Sequence, residues 1–331
     1  MTQSVPRLLS LIAGIVGLAL FAYTLYQIDL REIAASTTRL GLALPLILLP
    51  GTLWHFLRTW GWAISFPAEH RPPFTRLFRV RLAADALSYF TVRGVVGEPL
   101  KPVLLYDRAP IEITTAAVAL ERLAFAVGGI LIAGVFSILA VNRLSLPMQW
   151  DAVFRGLAMA ATIALAVVAI VIRHRGDYLG RFVHWAERVT GRPLGARRVV
   201  RFLVDVEHVL LALLRGDRQR LAILAVLPLV CYVLMALEVW LVFWAIGEPV
   251  GIVESLAVET FARLVSIASA AIPANIGAME AANWEVSKGL GLAGGGALAL
   301  VRRLRSLIWA GLGLALYPRV TGTPPAWSWR G

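Results

Sequence analysis

Long apolar runs dominate the chain, and their lengths decide what they are. A membrane-spanning helix takes about 20 mostly apolar residues. Six stretches meet that length: residues 8–27, 41–66, 112–140, 153–172, 219–246 and 296–317. The first follows Arg7, exceeds the apolar core of a signal peptide and is closed by no A-x-A site, so it reads as a retained helix. Two further stretches, 82–110 and 253–290, are apolar but broken by Gly, Pro and charge, and neither makes a clean span. The pattern predicts an all-α, polytopic helical membrane protein. It would have about six spanning helices within a single membrane domain, residues 1–331.

Composition agrees. The set AVILMFWYC makes up 59% of the chain and charged residues only 16%, against about 25% charged in soluble domains. So few charges cannot cover a water-exposed surface. A lone cysteine, Cys231, rules out a disulfide scaffold. The net charge is +12, and all basic residues but Lys101 and Lys288 are arginines. No nucleic-acid module accompanies this excess, so nucleic acid is not an expected partner. Cytoplasmic loops of membrane proteins collect such charge.

Loop charges fix an expected orientation. Between 67 and 81 lie Arg71, Arg76, Arg79 and Arg81 against Glu69, and between 173 and 220 eleven arginines face five acids. Segments 28–40, 141–152 and 247–252 are poor in net positive charge. The positive-inside rule therefore places 67–81, 173–220 and both termini in the cytoplasm. That works only when 82–110 enters from the cytoplasm and returns to it, and 253–290 does the same from outside. Both are then expected to be re-entrant hairpins.

Within 173–218, Leu179, Phe182, Val183, Ala186 and Val189 recur at helical spacing, as do Val199, Phe202, Val206, Val209 and Leu213. This predicts one or two amphipathic helices with two open placements. They lie on an anionic cytoplasmic leaflet, or they form a solvated connector between two halves.

The broken stretches hide a repeat. The interval from Gly97 to Arg122 equals the interval from Gly277 to Arg302, so one copy slides onto the other with Gly97 falling on Gly277. Pseudo-repeats 41–140 and 219–317 follow, each a spanning helix, a broken hairpin with Gly and Glu, and a helix carrying Arg. Sequence repeats of opposite membrane orientation are the inverted-repeat design of secondary transporters, with a substrate site near the midplane.

The residues Gly97-Glu98-Pro99-Leu100-Lys101 with Glu121-Arg122, and Pro273-Ala274-Asn275-Ile276-Gly277-Ala278-Met279-Glu280 with Arg302-Arg303, carry a resemblance. The chain resembles the transmembrane region of lysylphosphatidylglycerol synthases and the related flippase-like membrane proteins over most of 41–317. It departs from them at Val92-Arg93-Gly94, where a proline is usual before the Gly-Glu, and at Ala274-Asn275, where a glycine pair is usual. The 331 residues include no soluble aminoacyl-transferring domain, so the resemblance implies movement or handling of a lipid in a bacterial inner membrane. Val96-Gly97-Glu98-Pro99-Leu100-Lys101 is similar to a subgroup associated with hopanoid biosynthesis, which would make lipid-biosynthesis enzymes partners alongside membrane lipids. The oligomeric state stays open.

Charges inside apolar segments are the candidate site. An ionised side chain at the bilayer centre costs about 2.5–3.5 kcal/mol on insertion scales. Arg122 lies ten positions into its segment, about 15 Å deep at about 1.5 Å per residue. Arg302 holds the same place in the second copy. Two arginines converging from the repeats make a fork for phosphate or another anionic head group. The alternative is separate ion pairs, such as Arg122 with Asp85 and Arg302 with Glu280.

Glu98 and Glu280 would contact a cationic substituent, close a gate or carry a coupling proton. Glu121, Arg303, Arg305, Asn275 and Arg263 complete the candidate binding set. Asp85, Arg93, Glu259, Gly97 and Gly277 are candidates for gating or coupling. Arg302 and Arg305 share a helix face while Arg303 points elsewhere; Glu259 and Arg263 are spaced for an internal pair, and Glu238 stands alone. No G-x-x-x-x-G-K-[ST] loop, metal-like His spacing or marked nucleophile occurs. No enzyme, cofactor or metal is expected.

Cysteines placed near Arg76 and Arg108 in a Cys231→Ser background should both react with an impermeant reagent from the cytoplasmic side. Labelling from opposite sides would refute the first re-entrant hairpin.

Overall fold

A computed structural model describes residues 40–91, 96–144, 148–174, 178–190 and 198–318. The segment 8–27 and Arg93 lie outside the described residues. Among those described, eleven α-helices form and no strand. The first half holds α1 (Leu44–Ile64), α2 (Phe74–Phe90), α3 (Gly97–Leu104) and α4 (Ile111–Arg143). Next come α5 (Met148–His174), α6 (Tyr178–Thr190) and α7 (Arg198–Arg215). The second half holds α8 (Arg218–Ala245), α9 (Ile252–Ala268), α10 (Ala278–Gly289) and α11 (Gly295–Ala315). Pro73 and Pro110, which cannot continue a preceding helix, stand at the N-caps of α2 and α4. The Asp217 side chain caps α8 by accepting from the Gln219 N–H at 2.8 Å.

Among the described residues, four helices are long and apolar enough to cross a membrane: Gly41–Ile64, Ile111–Arg143, Met148–Val167 and Arg218–Ala245. The expected last span forms as α11, 21 residues long, but Arg302, Arg303 and Arg305 at its centre keep it outside that set. Exposed apolar stripes show what the surface meets. Leu46, Leu49, Leu53 and Trp60 line the outside of α1, and Val226, Leu229, Val233 and Trp240 line that of α8. Each of the second four follows one of the first by the same offset that carries Gly97 onto Gly277. A contiguous exposed stripe of this kind fits lipid and would aggregate in water.

Four helices, α1–α4, precede α5–α7, and four, α8–α11, follow them. Their packing is reciprocal: α1 lies on α8, α2 on α11, and α4 on α9. Helices of the first four thus pack on helices of the last four across the junction. Helix α7 lies against α4, and α6 against α7.

Each half contains a short helical hairpin. Helices α2 and α3 have 17 and 8 residues, and α9 and α10 have 17 and 12. At about 1.5 Å per residue the longest of these covers about 25 Å, short of a hydrocarbon core of about 30 Å. The mouths of both hairpins are tied shut. Arg76 Nη2 donates to the Leu104 carbonyl at 3.1 Å and to Asp107 at 3.3 Å. In the second half Glu248 accepts from the Ala293 and Gly294 N–H groups at 2.7 and 2.8 Å. The expectation that 67–81 is a loop of free arginines is corrected here. Helix α2 begins at Phe74, and Arg81 is 1% exposed inside the bundle.

Two glycines of the repeat have backbone reasons. A Cβ at Gly97 would lie 2.2 Å from the Ala84 carbonyl oxygen, so α3 approaches α2 only with glycine there. At the second tip, Ala274 and Asn275 hold φ of 53° and 50°, and Gly277 holds 80°. The usual glycine pair is thus replaced by residues strained in that region. Arg303 Nη1 donating to the Ala274 carbonyl (2.8 Å) and Asn275 Nδ2 donating to Ser266 (3.1 Å) hold the tip. Ala274→Gly should leave or raise the unfolding midpoint in detergent, while β-branched Ala274→Val lowers stability by about 1–3 kcal/mol. The reverse order would remove the strain argument.

Candidate functional site

Between the halves lies a cavity of about 340 Å³. Helix α1 supplies Trp54, His55 and Arg58 to its wall, α2 supplies Arg81, Asp85, Ser88 and Tyr89, and α4 supplies Arg122. From the second half come Glu259 and Arg263 on α9, Asn275 at the tip, and Glu280 and Asn283 on α10. Helix α11 completes it with Arg302, Arg303, Arg305 and Trp309. Arg122 and Arg302 therefore both line the cavity. Glu98, Glu121, Gly97 and Gly277 do not line it.

In the first half the network centres on Glu121, 1% exposed. Its Oε1 accepts from Arg58 Nε at 2.8 Å and meets Arg58 Nη2 at 2.6 Å and Arg81 Nη1 at 3.4 Å. Arg81 also donates to the Arg58 carbonyl at 3.2 Å. Phe125 receives the Arg58 guanidinium on its ring face, 3.8 Å from the centroid, a cation–π contact. Arg122 pairs with Glu98, whose carboxylate also accepts from Lys101 at 3.0 Å. The Arg122 side chain is 46% exposed.

In the second half Glu259 takes the same part. It accepts from Arg263 Nε at 2.7 Å and from Arg302 Nη2 at 2.6 Å. Arg302 also donates to Asn283 Oδ1 at 2.9 Å and approaches Glu238 at 3.9 Å. Glu238 is paired with Arg305 as well, so the expectation that it stands alone is corrected. Arg303 turns away from Arg302 and Arg305, as the spacing predicts, to Glu280 and to the Tyr89 hydroxyl at 2.6 Å. The Tyr89 bond joins α11 to α2 of the other half.

Separate ion pairs do form, though not Arg122 with Asp85 or Arg302 with Glu280. Arg122 pairs with Glu98 and Arg302 with Glu259 instead. The network includes Arg58, Arg81, Lys101, Tyr89 and Asn283, which sequence reasoning did not single out as site residues. Arg58 had a signal, being a charge inside the run 41–66. Seven arginines line the cavity against three carboxylates. With Glu98, Glu121, Glu238 and Lys101 behind the wall, cations still exceed carboxylates. An anion is the ligand this field favours.

The fold and this cavity define a multi-pass helical membrane protein with a charged cleft between two halves. The chain belongs to the family described as the lysylphosphatidylglycerol synthase transmembrane region, whose model matches residues 10–314. Membership of that family is consistent with lipid handling. No curated protein and no solved structure matches the chain. Among the described residues, no group of three His, Cys, Asp or Glu could hold a metal ion.

Removing one partner of a buried ion pair costs about 3–5 kcal/mol, because the other charge is left unpaired. Glu121→Gln should therefore lower the unfolding midpoint in detergent sharply. Arg122→Ala should lower it much less, since Glu98 keeps Lys101. Equal losses would contradict this division between frame and cavity surface.

Proposed function

We propose that the protein is a lipid transporter of the bacterial inner membrane, moving an amphipathic lipid with an anionic head group between leaflets. The observation that carries the reading is the arginine-rich cavity lined by both halves. Guanidinium groups bind phosphate through paired N–H donors, and an aqueous chamber inside an apolar shell lets a head group cross while its chains stay in lipid. Alternating exposure of this chamber to the two sides is the mechanism. Helices α2–α3 and α9–α10 are its re-entrant hairpins in an inverted repeat, both termini are cytoplasmic, and Glu98 and Glu280 serve its gates.

Two contacts support the inverted arrangement. The mouth of the first hairpin adjoins the start of α4. Trp150, at the start of α5 just past the end of α4, packs on Phe261 with ring centroids 4.6 Å apart and abuts Gly289 at the end of α10. These contacts support a second mouth near the other end of α4, a helix of 33 residues.

A second reading draws on the ion pairs themselves. Arg58, Arg81, Arg302, Arg303 and Arg305 are all engaged within the chain, as suits a static lipid-binding or scaffolding subunit of a lipid pathway such as hopanoid biosynthesis. Purified protein in vesicles separates the two. Transport predicts exchange of a fluorescent anionic phospholipid between leaflets above the protein-free background. Arg122→Lys, which keeps charge and loses the planar fork, should slow exchange about tenfold, the worth of one charge-assisted hydrogen bond. Background-level exchange by the folded wild type would leave only the static subunit.

A further inference from the structure

Helix α6 has two apolar stripes. Gly180, Val183 and Ala186 are buried on the side where α6 packs on α7, and there the Gly180 N–H donates to Glu207 of α7 at 3.3 Å. The second stripe, Phe182, Trp185 and Val189, is exposed at 59, 53 and 65%. Its three positions fall within about 60° of one another and about 130° round the helix from the buried stripe, at about 100° per residue. The rings of Phe182 and Trp185 stand with centroids 5.7 Å apart. Arg181 and Arg188, both exposed, border this stripe about 40–60° from Trp185. Glu187, the single acid of α6, sits one turn from Val183 on the buried flank and meets His184 at 3.6 Å.

Connectivity holds this helix at the edge of the bilayer. Helix α5 contains the candidate span Met148–Val167, and α6 starts at Tyr178, four positions after α5 ends. Helix α8, another candidate span, starts three positions after the end of α7. The α6–α7 pair is thus tethered to the membrane at both ends. Helix α7 is committed to protein, with Val206 and Leu213 buried among Ala116 and Leu120 of α4 and Leu224 of α8. The exposed stripe of α6 is apolar, and water is a poor neighbour for it. Aromatic rings bordered by arginines are the composition of a helix lying in the plane of an interface, rings at the acyl boundary and guanidinium groups among the lipid phosphates. Anionic lipid supplies the charge that complements Arg181 and Arg188.

We infer that α6 is an interfacial helix docked on an anionic lipid leaflet, with Phe182, Trp185 and Val189 at the acyl boundary and Arg181 and Arg188 on lipid phosphates. The two placements open to the pair from sequence thus separate: α7 packs on the bundle and α6 meets lipid. Helix α7 is the strut between them, and its contact with Leu120 lies next in the chain to Glu121. The inference stands apart from the transporter reading, since a static subunit would dock in the same way.

The test uses the full chain with Cys231→Ser in lipid nanodiscs, whose two faces are both open to a water-soluble maleimide. One set of discs is phosphatidylcholine, and the other is two parts phosphatidylcholine to one part phosphatidylglycerol. Val189→Cys reports on the stripe. His184→Cys, about 140° round the helix at a side chain 79% exposed, reports on the solvated side. In the mixed discs the Val189→Cys thiol should react at least about tenfold more slowly than the His184→Cys thiol, because only an undocked helix presents it to water. Adding Arg181→Gln and Arg188→Gln should speed the first thiol several-fold, at about fivefold for each basic residue near an anionic surface, and phosphatidylcholine discs should do the same. A bimane on the Val189→Cys thiol should be quenched by a lipid carrying a nitroxide high on its acyl chain. Equal rates for the two thiols overturn the proposal. A gap that neither the arginine replacements nor the loss of phosphatidylglycerol changes overturns it too. So does a protected thiol whose bimane escapes the lipid quencher, the sign that a second copy or another segment of the chain covers the stripe.

Discussion

A carboxylate shared by two guanidinium groups, buried away from water, is the interaction on which the architecture depends. Glu121 serves Arg58 and Arg81, and Glu259 serves Arg263 and Arg302. Glu238 serves Arg305 closely and Arg302 at 3.9 Å. Charges at this depth are tolerated only when each finds its partner. The positions of α1, α2 and α4 are therefore mutually determined through Glu121, and those of α8, α9 and α11 through Glu238 and Glu259. The polarity is reversed between halves: with the repeats superposed in sequence, Arg58 on α1 falls on Glu238 of α8. Each pairs with the opposite charge on the last helix of its own half.

Sharing also explains how a packed ionic frame can still receive a ligand. One carboxylate cannot saturate two guanidiniums, each of which presents five N–H donors. The surplus donors and the surplus positive charge face the chamber. On the proposed function, an anion entering there would add to the network without first displacing a carboxylate. The apolar stripes on α1 and α8 face outward, so the proposed cargo would have a polar place for its head group while its chains keep an apolar one.

Much of this frame was legible in the sequence, and the limits have physical causes. The helices in 41–66, 112–140 and 219–246 could be read because a span needs an uninterrupted apolar length. The shared face of Arg302 and Arg305 followed from helix geometry, as did the Glu259–Arg263 pair. Arg81 was hidden because α2 begins before its apolar run does, which made its arginines resemble loop charges. Partner choice was hidden as well. Spacing gives the face of a helix but not its neighbour, so Arg122 with Glu98 and Arg302 with Glu259 required the packing.

The claim that the cavity between the halves opens in turn to each side of the membrane can be measured at Ser306, which lines it and bonds within its own helix. A Ser306→Cys variant in a Cys231→Ser background, in oriented vesicles, would be exposed to an impermeant thiol reagent from one side and then the other. The account predicts labelling from both sides, slowed by an anionic phospholipid in each case. Labelling from one side only, unaffected by lipid, would contradict it.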